Sequence, residues 1–157
     1  MTGVQTCALP ISPFGSGAYL AAVAPLGVSG GAVVSASFQG TDQAYLEAAL
    51  AALGAHYVGV TQLAPDTSDA EILRLDRIGV RAVRFNLFRR GPAELAGLET
   101  VAARVWELAR WHSELYAGAR DLLEIAPRLA RLPRLSIDHL GMGREALPAL
   151  QIGRAHV

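Results

Sequence analysis

Polar side chains capable of binding an anion interrupt a segment that is otherwise typical of a buried β-strand. Residues 78–91 (IGVRAVRFNLFRRG) alternate apolar side chains with Ala82, Arg84 and Asn86. Successive side chains of a strand point to opposite faces, so one face would be apolar and the other would carry Arg84 and Asn86. A guanidinium group binds a carboxylate through two parallel hydrogen bonds. This face therefore suits a small anionic molecule that bears carboxylates.

Other polar residues fall at the ends of further strand-like segments. Because parallel strands bring their carboxyl ends to one edge of a sheet or one mouth of a barrel, we expect these side chains to converge. His139 directly follows Asp138 at such an end, a position that suits a general acid or base or a metal ligand. The candidates are Ser35 and Ser37 in residues 31–38, Arg84, Arg90 in the loop after the arginine strand, Glu114 and Tyr116 in residues 113–116, and His139.

Four of the candidates also have a purely structural interpretation. Arg84 could pair with a structural carboxylate of the same chain, and Ser35 and Ser37 could be small residues that fill the interior of a barrel. Tyr116 could be a core aromatic residue whose hydroxyl reaches the rim. The sequence alone leaves both interpretations open.

Apolar periodicity predicts alternating strands and helices along the chain. Thr41 and Asp42 precede the first predicted helix as N-cap residues, and Ser68 with Glu71 forms a capping box before the second. The predicted strands are 31–38, 56–60, 82–87, 113–116 and 135–138, and the predicted helices are 43–53, 69–78, 93–111 and 121–131, the last with a kink or restart at Pro127.

This alternation indicates an α/β fold with a parallel sheet. Two architectures fit it: a doubly wound open sheet, and a (β/α)₈ TIM barrel of which this chain would supply about five β/α units. The first strand-to-helix junction, SASFQGTD, lacks the glycine patterns that bind nucleotide phosphates. The usual reason to favour an open nucleotide-binding sheet is therefore missing, but the residues alone leave both architectures open.

Composition limits the classes of partner. The formal net charge is zero, so neither nucleic acid nor an acidic membrane surface is an expected partner. Residues 18–34 are apolar, but Pro25 and several glycines interrupt them, so they do not read as a membrane span. Cys7 is the single cysteine, which leaves no disulfide framework and favours a cytoplasmic protein.

The two ends of the chain look foreign to the rest of it. MTGVQTCALPIS at the start and IGRAHV at the end resemble in-frame translations of a sequencing-library adapter. We expect residues 1–12 and 152–157 to be adapter-derived, with a partial enzyme domain over residues 13–151.

Three segments in order, GVRAVRFNLFRRG, WHSELY and LPRLSIDHLG, resemble the amidohydrolase-related hydrolases, a TIM-barrel family. Within this family the resemblance is strongest to the branch that contains the 2-pyrone-4,6-dicarboxylate hydrolases. It implies substrate binding by Arg84, Arg90 and Tyr116, and a hydroxyl pair at Ser35 and Ser37. It also implies a catalytic role for His139, which matches a metal ligand in metal-dependent members.

The implied reaction is lactonase-type hydrolysis of a carboxylated cyclic substrate, an intermediate of aromatic degradation. A divalent metal, zinc or manganese, is compatible with the resemblance but not required by it. The family's HxH pair and its catalytic aspartate are not found in this sequence, so we expect the chain alone to be inactive. Alternatives are a metal-dependent decarboxylase of the same fold and a non-catalytic α/β module that binds carboxylates.

Overall fold

The computed structural model describes residues 14–87, 95 and 97–142 of the 157-residue chain. Both suspected adapter segments, 1–12 and 152–157, lie outside the described residues, as do Arg89 and Arg90. The expected limits of the enzyme domain, residues 13–151, therefore stay a prediction.

Five parallel strands form one sheet within the described residues, and their order in the sheet follows their order in the chain. This order is that of successive strands in a (β/α)₈ barrel, whereas a doubly wound sheet reverses direction at a switch point. The α/β fold predicted from the alternating pattern is confirmed. The strands are β1 (Gly31–Val34), β2 (Tyr57–Thr61), β3 (Val80–Asn86), β4 (His112–Tyr116) and β5 (Leu135–Ile137).

Helices connect the strands and cover one face of the sheet. Short 3₁₀ turns follow the first helix, β1 and β5, at Ala24–Leu26, Ser37–Gln39 and Asp138–Met142. The α-helices of the described part are α1 (Ser16–Val23), α2 (Ala44–Leu53), α3 (Asp69–Arg77), α4 (Leu98–Ala109) and α5 (Ala119–Leu129).

Local signals in the sequence place several helix ends correctly. The Ser68 side chain accepts a hydrogen bond from the Glu71 backbone N–H, which is half of the predicted capping box. Asp42 Oδ1 accepts from the Ala44 N–H at 3.0 Å, so it satisfies a free donor of the first turn of α2.

Some boundaries differ from the prediction. Helix α1 was not predicted, because residues 16–23 are apolar on every side and show no amphipathic period. Helix α4 ends before Arg110, which takes a left-handed conformation (φ 59°) and stops the helix two residues before the predicted end. Pro127 lies inside α5, which continues to Leu129 without a restart.

The apolar core lies between the helices and one face of the strands. Val83 and Phe85 of β3 point into it, as their alternation with Arg84 predicts. The core consists of two clusters. The larger one contains buried residues of α2, α3 and α4, among them Leu46, Leu50, Ile72, Leu75 and Val105. The smaller one joins α4, α5 and β4 through Leu98, Leu122 and Leu115. The opposite face of β3 is thus left for polar side chains.

No helix within the described ranges is long and apolar enough to span a bilayer.

Candidate active site

Strand register brings polar residues from β3, β4 and β5 to one place. Arg84 of β3 lies beside Glu114 of β4, and Asn86 lies beside Tyr116 in the same pairing. Asp138 follows β5 directly and begins the 3₁₀ turn. These five residues therefore meet near the carboxyl ends of the strands, where barrel enzymes build their active sites.

Arg84 is the centre of this arrangement. Its Nε and Nη2 donate to Asp138 Oδ2 at 3.1 and 2.5 Å, and its Nη1 donates to the Ser35 carbonyl oxygen at 3.0 Å. Glu114 Oε1 lies 3.2 Å from Arg84 Nε, at ion-pair distance. The Arg84 side chain is 11% exposed, so these charges interact with little screening by water. Arg84 thus links β3 to β4 and to the segments that follow β1 and β5.

Glu114 has an unusual protonation state. Its burial, and secondly the negative charge of Asp138, raise the pKa of Glu114 to about 7, while Arg84 opposes the shift. Glu114 Oε1 is buried and accepts no hydrogen bond within the described residues. Near neutral pH a substantial fraction of Glu114 is therefore uncharged, and the cluster then contains one cation and one anion.

Tyr116 and His139 stand next to this cluster. The Arg84 guanidinium lies 5.0 Å from the centre of the Tyr116 ring, within the range of a cation–π contact. The His139 ring packs edge-to-face on Tyr116, with the ring centres 5.6 Å apart. His139 is exposed and has a left-handed backbone (φ 50°). The turn after β5 thus presents an imidazole beside the phenol and the guanidinium.

The two predicted serines occupy different environments. Strand β1 ends at Val34, so Ser37 lies in the following 3₁₀ turn, and the prediction of one strand over residues 31–38 is wrong at its carboxyl end. The Ser35 side chain is fully buried, and its Oγ is hydrogen-bonded to the Tyr45 hydroxyl. Ser35 contributes its backbone carbonyl to Arg84, a role that no side-chain pattern reveals.

Glu114 was a strand-end candidate without an assigned role, and Asp138 was noted only as the residue before His139. For Glu114 the signal is its position: Arg84 and Glu114 both lie two residues before the last residue of their strands. Asp138 follows β5 and has no such signal. Asn86, buried at 3% exposure, was also placed on the polar face without a function. Arg90 lies outside the described residues.

The described residues do not fit a bound metal ion. No group of three histidine, cysteine, aspartate or glutamate side chains within them is arranged to hold one. His139 faces Tyr116, and Asp138 Oδ2 accepts two hydrogen bonds from Arg84. The expected metal-binding role of His139 stays a prediction.

The fold and this cluster define the class: an α/β barrel-type protein with a polar site at the carboxyl ends of its strands. The amidohydrolase family model matches residues 5–157. The chain belongs to the amidohydrolase family.

Similar proteins make the relationship more specific. The chain is 34% identical over 121 residues to 2-pyrone-4,6-dicarboxylate hydrolase of Comamonas testosteroni, a match that covers 74% of this chain and 39% of that protein. It therefore spans well under two thirds of the length of this relative.

Two solved structures have the same fold. One, from Pseudomonas putida, is named as a candidate 2-pyrone-4,6-dicarboxylic acid hydrolase. Its TM-score is 0.69 at 33% identity, with 80% of this chain and 46% of that one covered. The other, from Acinetobacter baumannii, is named a probable 2-pyrone-4,6-dicarboxylic acid hydrolase and contains citric acid. Its TM-score is 0.75 at 23% identity, with 88% of this chain and 52% of that chain covered.

Proposed function

We propose that the protein containing this chain hydrolyses the lactone ring of a small cyclic carboxylate resembling 2-pyrone-4,6-dicarboxylate. The observation that carries the proposal is Arg84, a nearly buried guanidinium fixed at the carboxyl ends of the strands. The 34% identity to the Comamonas hydrolase supports the same activity. The substrate class follows from the chemistry of arginine, which matches the planar geometry of a carboxylate.

Arg84 keeps donors for a ligand despite its internal partners. A guanidinium has about five N–H groups. Asp138 accepts from two of them and the Ser35 carbonyl from a third. The other two have no acceptor within the described part of the chain. We assign these two N–H groups to a substrate carboxylate.

The charge of the cluster sets when an anion can bind. With both Glu114 and Asp138 ionised, the net charge around Arg84 would be negative and would repel a carboxylate. Because the pKa of Glu114 is raised to about 7, its neutral form removes one negative charge near physiological pH. Glu114 thereby lets Arg84 act on an anion while Asp138 holds it in place.

Tyr116 and His139 complete the proposed site. Tyr116 stacks on Arg84 and would border the substrate ring, and the exposed imidazole of His139 would exchange protons with the reacting oxygens. In the reaction, the oxygen of a water molecule joins the lactone carbonyl carbon, the bond from that carbon to the ring oxygen breaks, and the ring oxygen gains a proton. Direct contacts of Ser37 and Arg90 with substrate stay predictions from the family resemblance.

The physiological setting is proposed on composition. Zero net charge gives no general attraction to nucleic acid, and a single cysteine leaves no disulfide framework. Both features support a cytoplasmic enzyme that acts on small molecules.

Binding of the substrate to the 157-residue chain tests the proposal. We expect Arg84→Met to weaken binding of 2-pyrone-4,6-dicarboxylate by roughly ten- to a hundredfold, because hydrogen bonds to charged groups are lost. Arg84→Lys should also weaken binding, since lysine cannot donate in the same fork. Isothermal titration calorimetry measures both effects, and circular dichroism confirms that the variants fold.

Arg81→Met is the matched control. Arg81 lies near the opposite end of the same strand, where its exposed side chain pairs with Asp76. This variant should bind as the unmodified chain does, within about twofold, because an exposed pair contributes little. Equal affinities of the Arg84 and Arg81 variants would refute the assignment of Arg84 to substrate binding.

A further inference from the structure

Glu114 lies enclosed beside Arg84 with a carboxyl oxygen that the chain does not satisfy. The residue is 9% exposed, and its Oε1 is buried and accepts no hydrogen bond among the residues that the structure describes. Arg84 Nε lies 3.2 Å away, at ion-pair distance but without a hydrogen bond. An ionised carboxylate in such a position has lost its hydration and has too few donors in return, which is costly. This position therefore favours the protonated form of Glu114.

Asp138 adds to this preference because it shares the same guanidinium. Arg84 Nε donates to Asp138 Oδ2 at 3.1 Å while lying within ion-pair distance of Glu114. Two ionised carboxylates around one guanidinium would leave one negative charge in excess, in a place with little water to screen it. A proton on Glu114 removes that charge, and the resulting O–H can donate to Asp138. The three side chains therefore form one cluster that retains a proton.

The side chains around Glu114 come from both neighbouring strands and from β4 itself. They are Arg84 of β3, Ser136 of β5, Asp138 after β5, and His112 and Tyr116 two residues to either side on β4. Within the described part of the chain, Asp138 and Arg84 carry the charges that act on Glu114. Arg84 is also the proposed carboxylate site. An anion that binds there adds a further negative charge to the cluster, so it makes the ionised form of Glu114 still costlier.

We propose that Glu114 is a positioning residue that couples carboxylate binding at Arg84 to the uptake of a proton. The inference rests on the proposed function and deepens it by naming the regulation of the same site. Glu114 acts on the ligand through Arg84: once Glu114 is neutral, Asp138 alone balances the guanidinium, and an arriving anion meets no excess negative charge. When Glu114 is ionised, one proton passes from the solvent to its carboxylate for each ligand that binds.

The coupling fixes how the affinity depends on pH. Burial and the charge of Asp138 raise the pKa of Glu114 to about 7 in the free chain, and a bound anion raises it further. Below about pH 7 Glu114 already carries the proton, so the affinity stays constant. At higher pH the affinity falls by up to about tenfold per pH unit, because each binding event consumes a proton. The carboxyls of the ligand remain ionised throughout, since ordinary carboxyl groups have a pKa of about 4.

Titration calorimetry of 2-pyrone-4,6-dicarboxylate into the 157-residue chain measures this proton directly. HEPES and Tris differ in their enthalpies of ionisation, so the difference in heat between the two buffers gives the number of protons that the buffer supplies. At about pH 8 we expect an uptake of roughly half a proton or more per ligand. The affinity should be about threefold weaker, or more, at about pH 8 than at about pH 6.

Glu114→Gln copies the shape and the neutrality of the protonated carboxyl. It should take up no proton, and at about pH 8 it should bind as tightly as the unmodified chain does at about pH 6, within about threefold. Glu107→Gln is the matched control, because Glu107 is an exposed residue of α4. It should keep both the uptake and the pH dependence. His139→Asn should also keep the uptake, which separates Glu114 from the nearby imidazole, since histidines can take up protons in this range as well.

The outcomes separate this inference from the proposed function. Binding by the unmodified chain without proton uptake overturns the coupling and leaves the carboxylate site of Arg84 intact, and this result needs no variant to fold. Uptake that persists in Glu114→Gln assigns the proton to another group and also overturns the coupling. So does a change in the affinity of Glu114→Gln by the same factor at both pH values, which is the mark of a merely structural role. Failure of the unmodified chain to bind the dicarboxylate at either pH counts against the Arg84 site and therefore against both proposals.

Discussion

Arg84 combines a structural and a ligand-binding role in one side chain. Asp138 and the Ser35 carbonyl hold the guanidinium by three hydrogen bonds, so its position is set before any ligand arrives. A side chain that is already ordered loses less conformational entropy on binding. The structural and the functional interpretation of Arg84, which the sequence left as alternatives, are compatible in this geometry.

The protonation of Glu114 predicts how stability depends on pH. The pKa of Glu114 rises from 4.5 to about 7 on folding, so the folded chain binds the proton more tightly than the unfolded chain. Its stabilising contribution is complete below pH 4.5 and is lost as the pH rises through about 7. The loss is at most about 1.4 kcal/mol per pH unit in this window.

Glu114→Gln removes this titration. Urea unfolding of both proteins from acidic to mildly alkaline pH gives the difference in their free energies of unfolding. We expect the advantage of the unmodified chain over Glu114→Gln to shrink as the pH rises. A constant difference would mean that the pKa of Glu114 is the same in the folded and unfolded chain, and a growing one that folding lowers it; either result would contradict the raised pKa.

At the residue scale, the sequence identified the polar positions but not their pairing. Alternation along β3 placed Arg84 and Asn86 on the polar face, because strand geometry is local. The partners Glu114 and Asp138 lie 30 and 54 residues away, and their contact depends on the register between strands, which no local pattern specifies. For the same reason the Ser35 carbonyl could not be predicted as an acceptor.

Elements of regular structure were easier to predict than the site they carry. Strong local signals, such as the Ser68 cap and the amphipathic pattern of α3 and α4, lead to the correct alternation of strands and helices. Prediction failed where no local signal exists. The uniformly apolar α1 has no periodicity, and the early end of β1 depends on the turn of Ser37–Gln39, which the sequence does not mark.

The turn after β5 positions Asp138 and His139, and Gly141 allows it to form. Gly141 has φ 69°, and a Cβ at this position would lie 2.9 Å from Leu122 Cδ1. Leu122 is fully buried, so it has little room to move. We expect Gly141→Ala to destabilise the chain by about 1–2 kcal/mol for the left-handed backbone and by about 1 kcal/mol or more for the steric overlap.

Gly27→Ala provides the control for this turn. Gly27 has nearly the same backbone angle (φ 70°), but a Cβ added there would meet no atom within 4 Å. Gly27→Ala should lower stability only by the cost of the left-handed backbone. Gly141→Ala should in addition weaken carboxylate binding, because the distorted turn displaces Asp138 from Arg84. Thermal unfolding and titration of both variants test this; equal effects would mean that the turn does not position the site.

On the scale of the whole molecule, the chain carries a coherent group of strands from a larger family fold. The five parallel strands of the described residues, in sequential order, place Arg84, Glu114, Tyr116 and His139 at one edge, yet the chain spans 39% of its Comamonas relative. The order of the strands could be predicted from alternation and the right-handed crossover rule. The complete set of reacting groups could not be predicted from this sequence, because the active site of a barrel contains residues from many strand ends.

The most direct test of the proposed function is turnover of 2-pyrone-4,6-dicarboxylate by the product of the complete reading frame that contains this sequence. Ring opening can be followed by the loss of pyrone absorbance. We predict hydrolysis, reduced at least about tenfold by Arg84→Met through the loss of charged hydrogen bonds, with Arg81→Met unaffected. The proposal would be contradicted if the full-length protein bound the dicarboxylate without opening its ring, or if the Arg84→Met variant opened the ring as fast as the unmodified protein.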